Sequence, residues 1–381
     1  MSRLADLIEE LCPDGVEYKP LGEVAELKRG QSITKKSITP GDIPVIAGGR
    51  KPAYFTSSAN RTGMTIVVAG SGAYAGFVSY WDQPIFVSDA FSVKVNEEIL
   101  VPRFTYHWVC GKQKELYSLK SGGGVPHVYP KDVAKFKCPI PPLEVQCEIV
   151  RILDQFTTLE AELEAELEAR RTQYEYYRNQ LLSYDALASR GPVKWVKLGD
   201  IGTVKMCKRI HKKETADKGD VPFYKISSFG GAPTAFISRN QFMEYKSKYP
   251  YPKVGDLLIS ASGTIGRVVR FNGEDAYFQD SNIVWLDHDE SIVSNRFLFY
   301  LYKVISWETE GGTIKRLYNS RILKQEIPVP SFCEQQRIAD ILDRFDALVN
   351  DISSGLPAEI AARRAQYEYY RDRLLSFPEK K

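Results

Sequence analysis

The 381-residue sequence predicts an α+β protein built twice over. Two mixed α/β blocks are separated by two long helices that coil against each other. Three observations predict it. The hexapeptide QYEYYR occurs at 173–178 and again at 366–371. Two stretches carry apolar residues at sustained three- and four-residue spacing, the mark of a coiled-coil seam. The charge is divided: residues 18–142 carry +7 and 193–330 carry +6, whereas 143–185 carry −6 and 331–381 carry −1.

The hexapeptide belongs to a longer repeat. RRTQYEYYRNQLLSY at 170–184 matches RRAQYEYYRDRLLSF at 363–377, an offset of 193. Upstream, EIVRILDQF at 148–156 matches RIADILDRF at 337–345, and CPIPPLEVQ at 138–146 matches IPVPSFCEQ at 327–335, both at an offset of 189. The second copy therefore holds four extra residues, about one helical turn. The blocks repeat more faintly. PLGEV at 20–24 parallels KLGDI at 197–201, and GDIPVI at 41–46 parallels GDVPFY at 219–224. TIVVAGSGAYAGFV at 65–78 parallels LLISASGTIGRVV at 257–269, and GGGVPHVYPKDV at 122–133 parallels GGTIKRLYNSRI at 311–322.

Read in order, residues 1–17 form an N-terminal helical segment and 18–142 the first block. Short apolar runs such as MTIVVAG and PIFVSDAFSVKV predict strands, and PRFTYHWVCGKQKEL predicts a helix. Pro139, Pro141 and Pro142 then mark the entry to a helical region, 143–185. Its stripe includes Ile149, Leu153, Phe156, Leu163 and Tyr174, and a helix this long spans roughly 60 Å. A linker at 186–194 leads to the second block, 195–330, with DLLISAS as a strand and NRFLFYLYKVISWE as a helix. Pro328 and Pro330 open the second helical region, 331–381, whose stripe includes Ile338, Leu342, Phe345, Ile352 and Tyr367. Pro357 predicts a kink or break in that helix.

The motifs exclude most catalytic classes. AGSGAYAG at 69–76 follows a strand, but FVSYW after it reads as another strand, so the glycines predict a hairpin tip rather than a phosphate-binding loop. There is no Walker A motif, no HExxH, no GxSxG and no Asn-Pro-Pro-aromatic motif. Cys207 and His211 are spaced i, i+4 without a second pair, so no metal is expected, and no cofactor. His107, His127, His211 and His288 have no recognisable partners at short range. Six cysteines without a CxxC pair predict reduced thiols. The acidic N-terminus has no apolar signal core and no run reaches 18 apolar residues, so a cytoplasmic protein without membrane contact is expected.

Basic residues gather in Gly/Ser-rich connections with tyrosines nearby, the combination that phosphate positioning and base reading require. The candidate DNA-binding residues are Lys28, Arg29, Arg50, Lys51, Ser71, Tyr74, Lys120 and His127 in the first block. In the second they are Lys208, Arg209, Lys212, Lys213, Ser262, Thr264, Arg267, Lys315, Arg316 and Tyr318. On the helices, i and i+3 share a face, so Tyr174 and Tyr177 can enter the seam while Tyr176 points elsewhere. Tyr176 and Arg178, with Tyr369 and Arg371, are the candidate partner-docking residues.

This order of parts resembles the specificity subunit of type I restriction-modification systems over about residues 17–377. The resemblance rests on PLGEV and KLGDI opening the blocks, on PIPPLEVQCEIVRILDQF and PVPSFCEQQRIADILDRF closing them, and on the two tyrosine-rich helix ends. It implies a non-catalytic subunit whose two target-recognition domains each read half of a split, asymmetric DNA target. It further implies that the two helices pair antiparallel under a pseudo-two-fold relation and hold the domains at a fixed distance. Two methyltransferase subunits would dock along the helical regions, and restriction subunits would join through the complex. Two alternatives come from other classes: a methyltransferase or nuclease with an unrecognised site, and a coiled-coil scaffold that binds protein. A nearer one is the recognition polypeptide of a two-subunit restriction enzyme.

Overall fold

The computed structural model describes residues 3–121, 124–311 and 315–380. The chain divides into two compact units. One joins Met1–Ala165 to Ala358–Lys381; the other is the continuous segment Glu166–Pro357.

In the first unit, a ribbon of Glu17–Pro20 against Lys137–Ile140 ties the two ends of the block together. Within it lies an antiparallel sheet in the order Ala25–Arg29, Ala90–Val95, Met64–Ala69, Val78–Asp82. A smaller sheet orders Tyr54–Thr56, Ile43–Ile46 and Phe86–Val87. The helix Pro102–Gly111 packs Phe104, Trp108 and Val109 into the core, with Pro102 in its first turn where no amide donor is needed. The repeated Leu-Gly pair has a packing reason. Leu21 is fully buried, and a side chain on Gly22 would meet Ala134 Cβ at 3.0 Å.

The second unit repeats the plan. Lys194–Lys197 pairs with Glu326–Val329, and its four-stranded sheet runs Gly202–Met206, Ile283–His288, Leu257–Ser260, Val268–Arg270. A three-stranded sheet orders Phe236–Ile237, Val221–Tyr224 and Tyr277–Phe278, and the helix Asn295–Tyr302 buries Phe297, Leu298 and Leu301. Leu198 is again fully buried, and a Cβ on Gly199 would meet the Leu323 carbonyl oxygen at 2.9 Å.

Each unit contains an antiparallel helix pair. In the first, Leu143–Leu181 contributes its early part and Leu356–Leu374 the partner. Phe156 stacks on Tyr370 with ring centroids 5.3 Å apart, and Glu160 accepts from Arg364 at 2.6 Å, so numbers rise on one helix as they fall on the other. In the second, the later part of Leu143–Leu181 meets Phe332–Asn350, with Tyr174 opposite Asp346 and Tyr177 opposite Phe345. The fold class is thus as predicted: two mixed blocks with long helices in antiparallel coils, repeated once.

The predicted weak point in the second helical region is a full break. Phe332–Asn350 ends and Leu356–Leu374 begins, so the extra residues form a turn. Asp351 accepts from Ser353 and Ser354, and a side chain on Gly355 would strike the Ala347 carbonyl oxygen at 2.4 Å. Ile352, expected in the seam, stands in this turn and is 84% exposed, because the helix has stopped before it.

The order of pieces explains where the hexapeptide recurs. In the second unit a QYEYYR helix precedes its block along the chain. In the first unit that helix is supplied by residues 366–371, after the block in sequence. Tyr18 donates to the Phe377 carbonyl at 2.9 Å, and Val16 and Lys380 also join the two termini by backbone bonds. The first unit is the second with the chain opened at a different point.

Candidate nucleic-acid interface

The glycine-rich stretch of the first block is a hairpin tip, as expected. It joins Met64–Ala69 to Val78–Asp82, and Gly72 and Gly76 adopt φ of +82° and +86°, which side chains disfavour. Ser71 at the tip donates from its hydroxyl to the carboxylate of Asp89, which immediately precedes the strand Ala90–Val95. His127 exchanges backbone bonds with Ser121 at 2.9 and 3.1 Å, while Val128 donates to the Gly70 carbonyl at 3.0 Å. Ser121 and His127 thus bond each other, and Val128 ties their segment to the tip.

Aromatic and basic side chains surround this frame. His127 stacks on Tyr129 with centroids 6.0 Å apart, and the Arg29 guanidinium lies 5.3 Å over the Tyr129 ring. Arg50 lies 5.0 Å over Tyr74, and Lys120 lies 4.3 Å over Tyr117. An open cavity of about 600 Å³ lies among Arg29, Tyr54, Asp89, His127 and Tyr129. Arg29, Arg50, Ser71, Tyr74, Lys120 and His127 are thus placed around one tip. Lys51 is exposed beside Arg50. Lys28 precedes Arg29 on one strand, so strand alternation sends it to the other face.

The second block has the same frame with different contents. Ser262 donates to Oδ1 of Asn282 at 2.8 Å. Arg316 exchanges backbone bonds with Glu310 at 2.8 and 3.0 Å, and Leu317 donates to the Ala261 carbonyl at 2.9 Å. The Arg316 guanidinium donates to Ser281 Oγ at 2.6 Å and lies 5.8 Å from the centre of the Tyr318 ring. Sheet register makes the correspondence independent of sequence alignment. Ala69 pairs with Ala90 in the first unit and Ser260 with Ile283 in the second. Ser71, Asp89, His127 and Tyr129 therefore match Ser262, Asn282, Arg316 and Tyr318.

The other candidates of this block are spread more widely. Arg267 donates to the Phe229 carbonyl at 2.6 Å, and Thr264 is exposed at the tip. Lys208 lies 5.2 Å over Tyr249, and Arg209 reaches Asp280 at 3.8 Å. Lys212 and Lys213 stand exposed on a short turn after His211, and Lys315 is exposed beside 312–314, which lie outside the described residues. Cys207 is buried, and burial pushes its thiol up to about 12. Among the described residues no three potential ligands gather for a metal.

On the helices the two tyrosine triplets behave alike. Tyr174 and Tyr367 are buried; the first donates to Asp346 at 3.0 Å and the second bonds His107 Nδ1 at 2.8 Å. Tyr176 and Tyr369 are both 59% exposed. Tyr177 and Tyr370 are half-exposed, against Phe345 and Phe156. Arg371 lies over Tyr367, bonds Asp372 and is only 12% exposed, and Arg178 lies over Tyr174. The two arginines cover buried tyrosines more than they project.

Sequence reasoning missed two matched pairs. Gln146 and Gln335 are fully buried behind the Pro-rich joints, and their recurrence in CPIPPLEVQ and IPVPSFCEQ was the available signal. Asp89 and Asn282 were passed over because they differ from each other and meet their serines only through the fold.

The family model described as the type I restriction modification DNA specificity domain matches residues 13–169 and 192–362. The chain belongs to the type I restriction-modification DNA specificity family. It is 44% identical, over 95% of its length and 96% of the relative's, to a Haemophilus influenzae protein assigned as a type I restriction enzyme specificity subunit. It is 31% identical to the EcoR124I/EcoR124II specificity subunit of Escherichia coli, over 99% and 98% of the two chains. Its fold is similar to the crystal structure of a type I restriction-modification system S subunit from M. genitalium, with a TM-score of 0.59, 19% identity and coverage of 95% and 96%. The chain is accordingly a specificity subunit, the DNA-recognising and non-catalytic component of a type I system.

Proposed function

We propose that each block reads one half of a bipartite, asymmetric DNA target, and that the helical regions dock two methyltransferase subunits. One observation carries this reading. The frames at Ser71 and Ser262 are alike while the side chains they hold differ, whereas the exposed Tyr176 and Tyr369 are the same in kind and exposure. Divergent contents on a common frame suit two different half-sites; identical surfaces suit two copies of one partner. Lysines and arginines around the tips neutralise phosphates and set the register, and groups at the tips meet base edges in the major groove. Methyl transfer and cleavage belong to the partners, with restriction subunits joining through the complex. We place the assembly in the cytoplasm, with the DNA. Residues 18–142 and 195–330 act as the recognition domains, 143–185 and 331–381 as the docking regions, 1–17 as the leading helical segment and 186–194 as the linker.

Titrating duplex DNA against salt tests the electrostatic part. Neutralising about six phosphates gives a slope of log K against log salt near −5. A slope near zero refutes binding through basic blocks.

A further inference from the structure

We infer that Asp89 and Asn282 are the matched base-discriminating residues of the two blocks, held in reading position by Ser71 and Ser262. The inference rests on the recognition reading above and names the groups that carry it.

Asp89 is an exposed carboxylate in a block of net charge +7, beside a cavity that Arg29 and His127 also line. Left free, it would repel the DNA backbone that the surrounding cations attract. It is fixed instead, because the Ser71 hydroxyl donates to it and Ser71 is itself buried at the hairpin tip. An ionised carboxylate offers acceptors alone. Its complement in the major groove is an exocyclic amine, foremost N4 of cytosine.

The second block keeps the serine and changes the chemistry. Ser262 donates to Oδ1 of Asn282, so the amide nitrogen is left with two donors while Oδ1 keeps a second lone pair. That pairing of one acceptor and one donor matches N6 and N7 of adenine. Both residues stand immediately before a central strand, fixed by the sheet rather than by a loose loop. The loop residue crossing each tip also differs, His127 in one block and Arg316 in the other, so the two sites present different donor sets on one frame.

The test uses the chain purified with the methyltransferase of its own system and a pool of randomised duplexes, with the bound DNA sequenced. Wild type is compared with Asp89→Asn, Asn282→Asp and Ser71→Ala. Asp89→Asn is expected to change the selected base at one position of one half-site, and to weaken binding to the wild-type duplex by roughly tenfold to a hundredfold. Asn282→Asp is expected to do the same in the other half alone, moving the selected base from adenine toward cytosine. Ser71→Ala keeps the carboxylate but frees it, so the same base is selected with less discrimination. If wild type enriches no motif, the recognition reading falls and this inference with it. If wild type enriches a two-part motif and both exchanges enrich that same motif with equal affinity, or alter both halves together, this inference alone is overturned.

Discussion

Gln146 and Gln335 hold the same place in the two units. Each is fully buried; Gln146 accepts from the Val101 amide and donates to the Ile99 and Pro141 carbonyls. Gln335 does the same with Ser294, Ile292 and Pro330. Removing the amide leaves three backbone groups unpaired, and Gln146→Leu should cost about 3 kcal/mol in denaturant unfolding. A loss below about 0.5 kcal/mol would place it with ordinary surface changes. His107 sits between Tyr367 and Asp154 with no exposure, and burial holds its imidazole below the ordinary range despite the opposing hydrogen bond to Asp154. Arg103 and Arg371 nearby push in the same direction as burial, and Asp154 is itself held low by hydrogen bonds from His107 and Arg103 that outweigh its own burial. The folded pKa is depressed, so below the ordinary value of 6.5 the unfolded chain binds the extra proton. Stability from this group is therefore complete above that value and is lost as pH falls through it. The melting temperature should drop between pH 7.5 and 5.5, and drop less in His107→Gln; an equal drop refutes the assignment. The matched residue in the second unit is Tyr300, bonded to Asp343, so no second imidazole adds to the effect there.

The helices show what a repeated sequence can and cannot reveal. Tyr174 and Tyr367 were readable as seam residues from their spacing, and Tyr176 and Tyr369 as outward ones. The break at 351–355 was readable as a weakness from Pro357, but its form depends on Asp351 capping two serines and on Gly355 packing against the preceding turn. Arg178 and Arg371 were candidate docking residues, and each lies over a buried tyrosine. Their contact with the buried tyrosines follows from their position one turn on, with aliphatic stems lying along the helix. Tyr176 and Tyr369, equally exposed on the repeated helices, are the surface proposed for docking. Tyr176→Ala with Tyr369→Ala should strongly reduce co-purification of the methyltransferase while leaving the helical circular dichroism and melting temperature near wild type. Undiminished co-purification removes these tyrosines from the docking surface.

At the scale of the whole chain, the duplication was legible because its signals are local: Pro-rich joints, Leu-Gly pairs and three- and four-residue apolar spacing can each be read within a few residues. The pairing of the two chain ends within the first unit was less so, since Tyr18 meets Phe377 across 359 positions. The recognition frame was legible only in part. Ser71 and Ser262 stood out in a repeated glycine-rich tip, but Asp89 and Asn282 meet them through sheet register, across 18 and 20 positions. The central claim is that each block carries its own half of the specificity on an interchangeable frame. The frame closes each block in the same way, through Glu17–Pro20 with Lys137–Ile140 and through Lys194–Lys197 with Glu326–Val329. Replacing residues 18–141 by a second copy of 195–330, which begins and ends at the matched positions, therefore keeps the joints. Methylome sequencing of a host carrying this chimaera with its methyltransferase tests the claim most directly. The account predicts a target whose two halves contain the same bases, those of the half read by the second block. A chimaera that still methylates the original asymmetric target would contradict it.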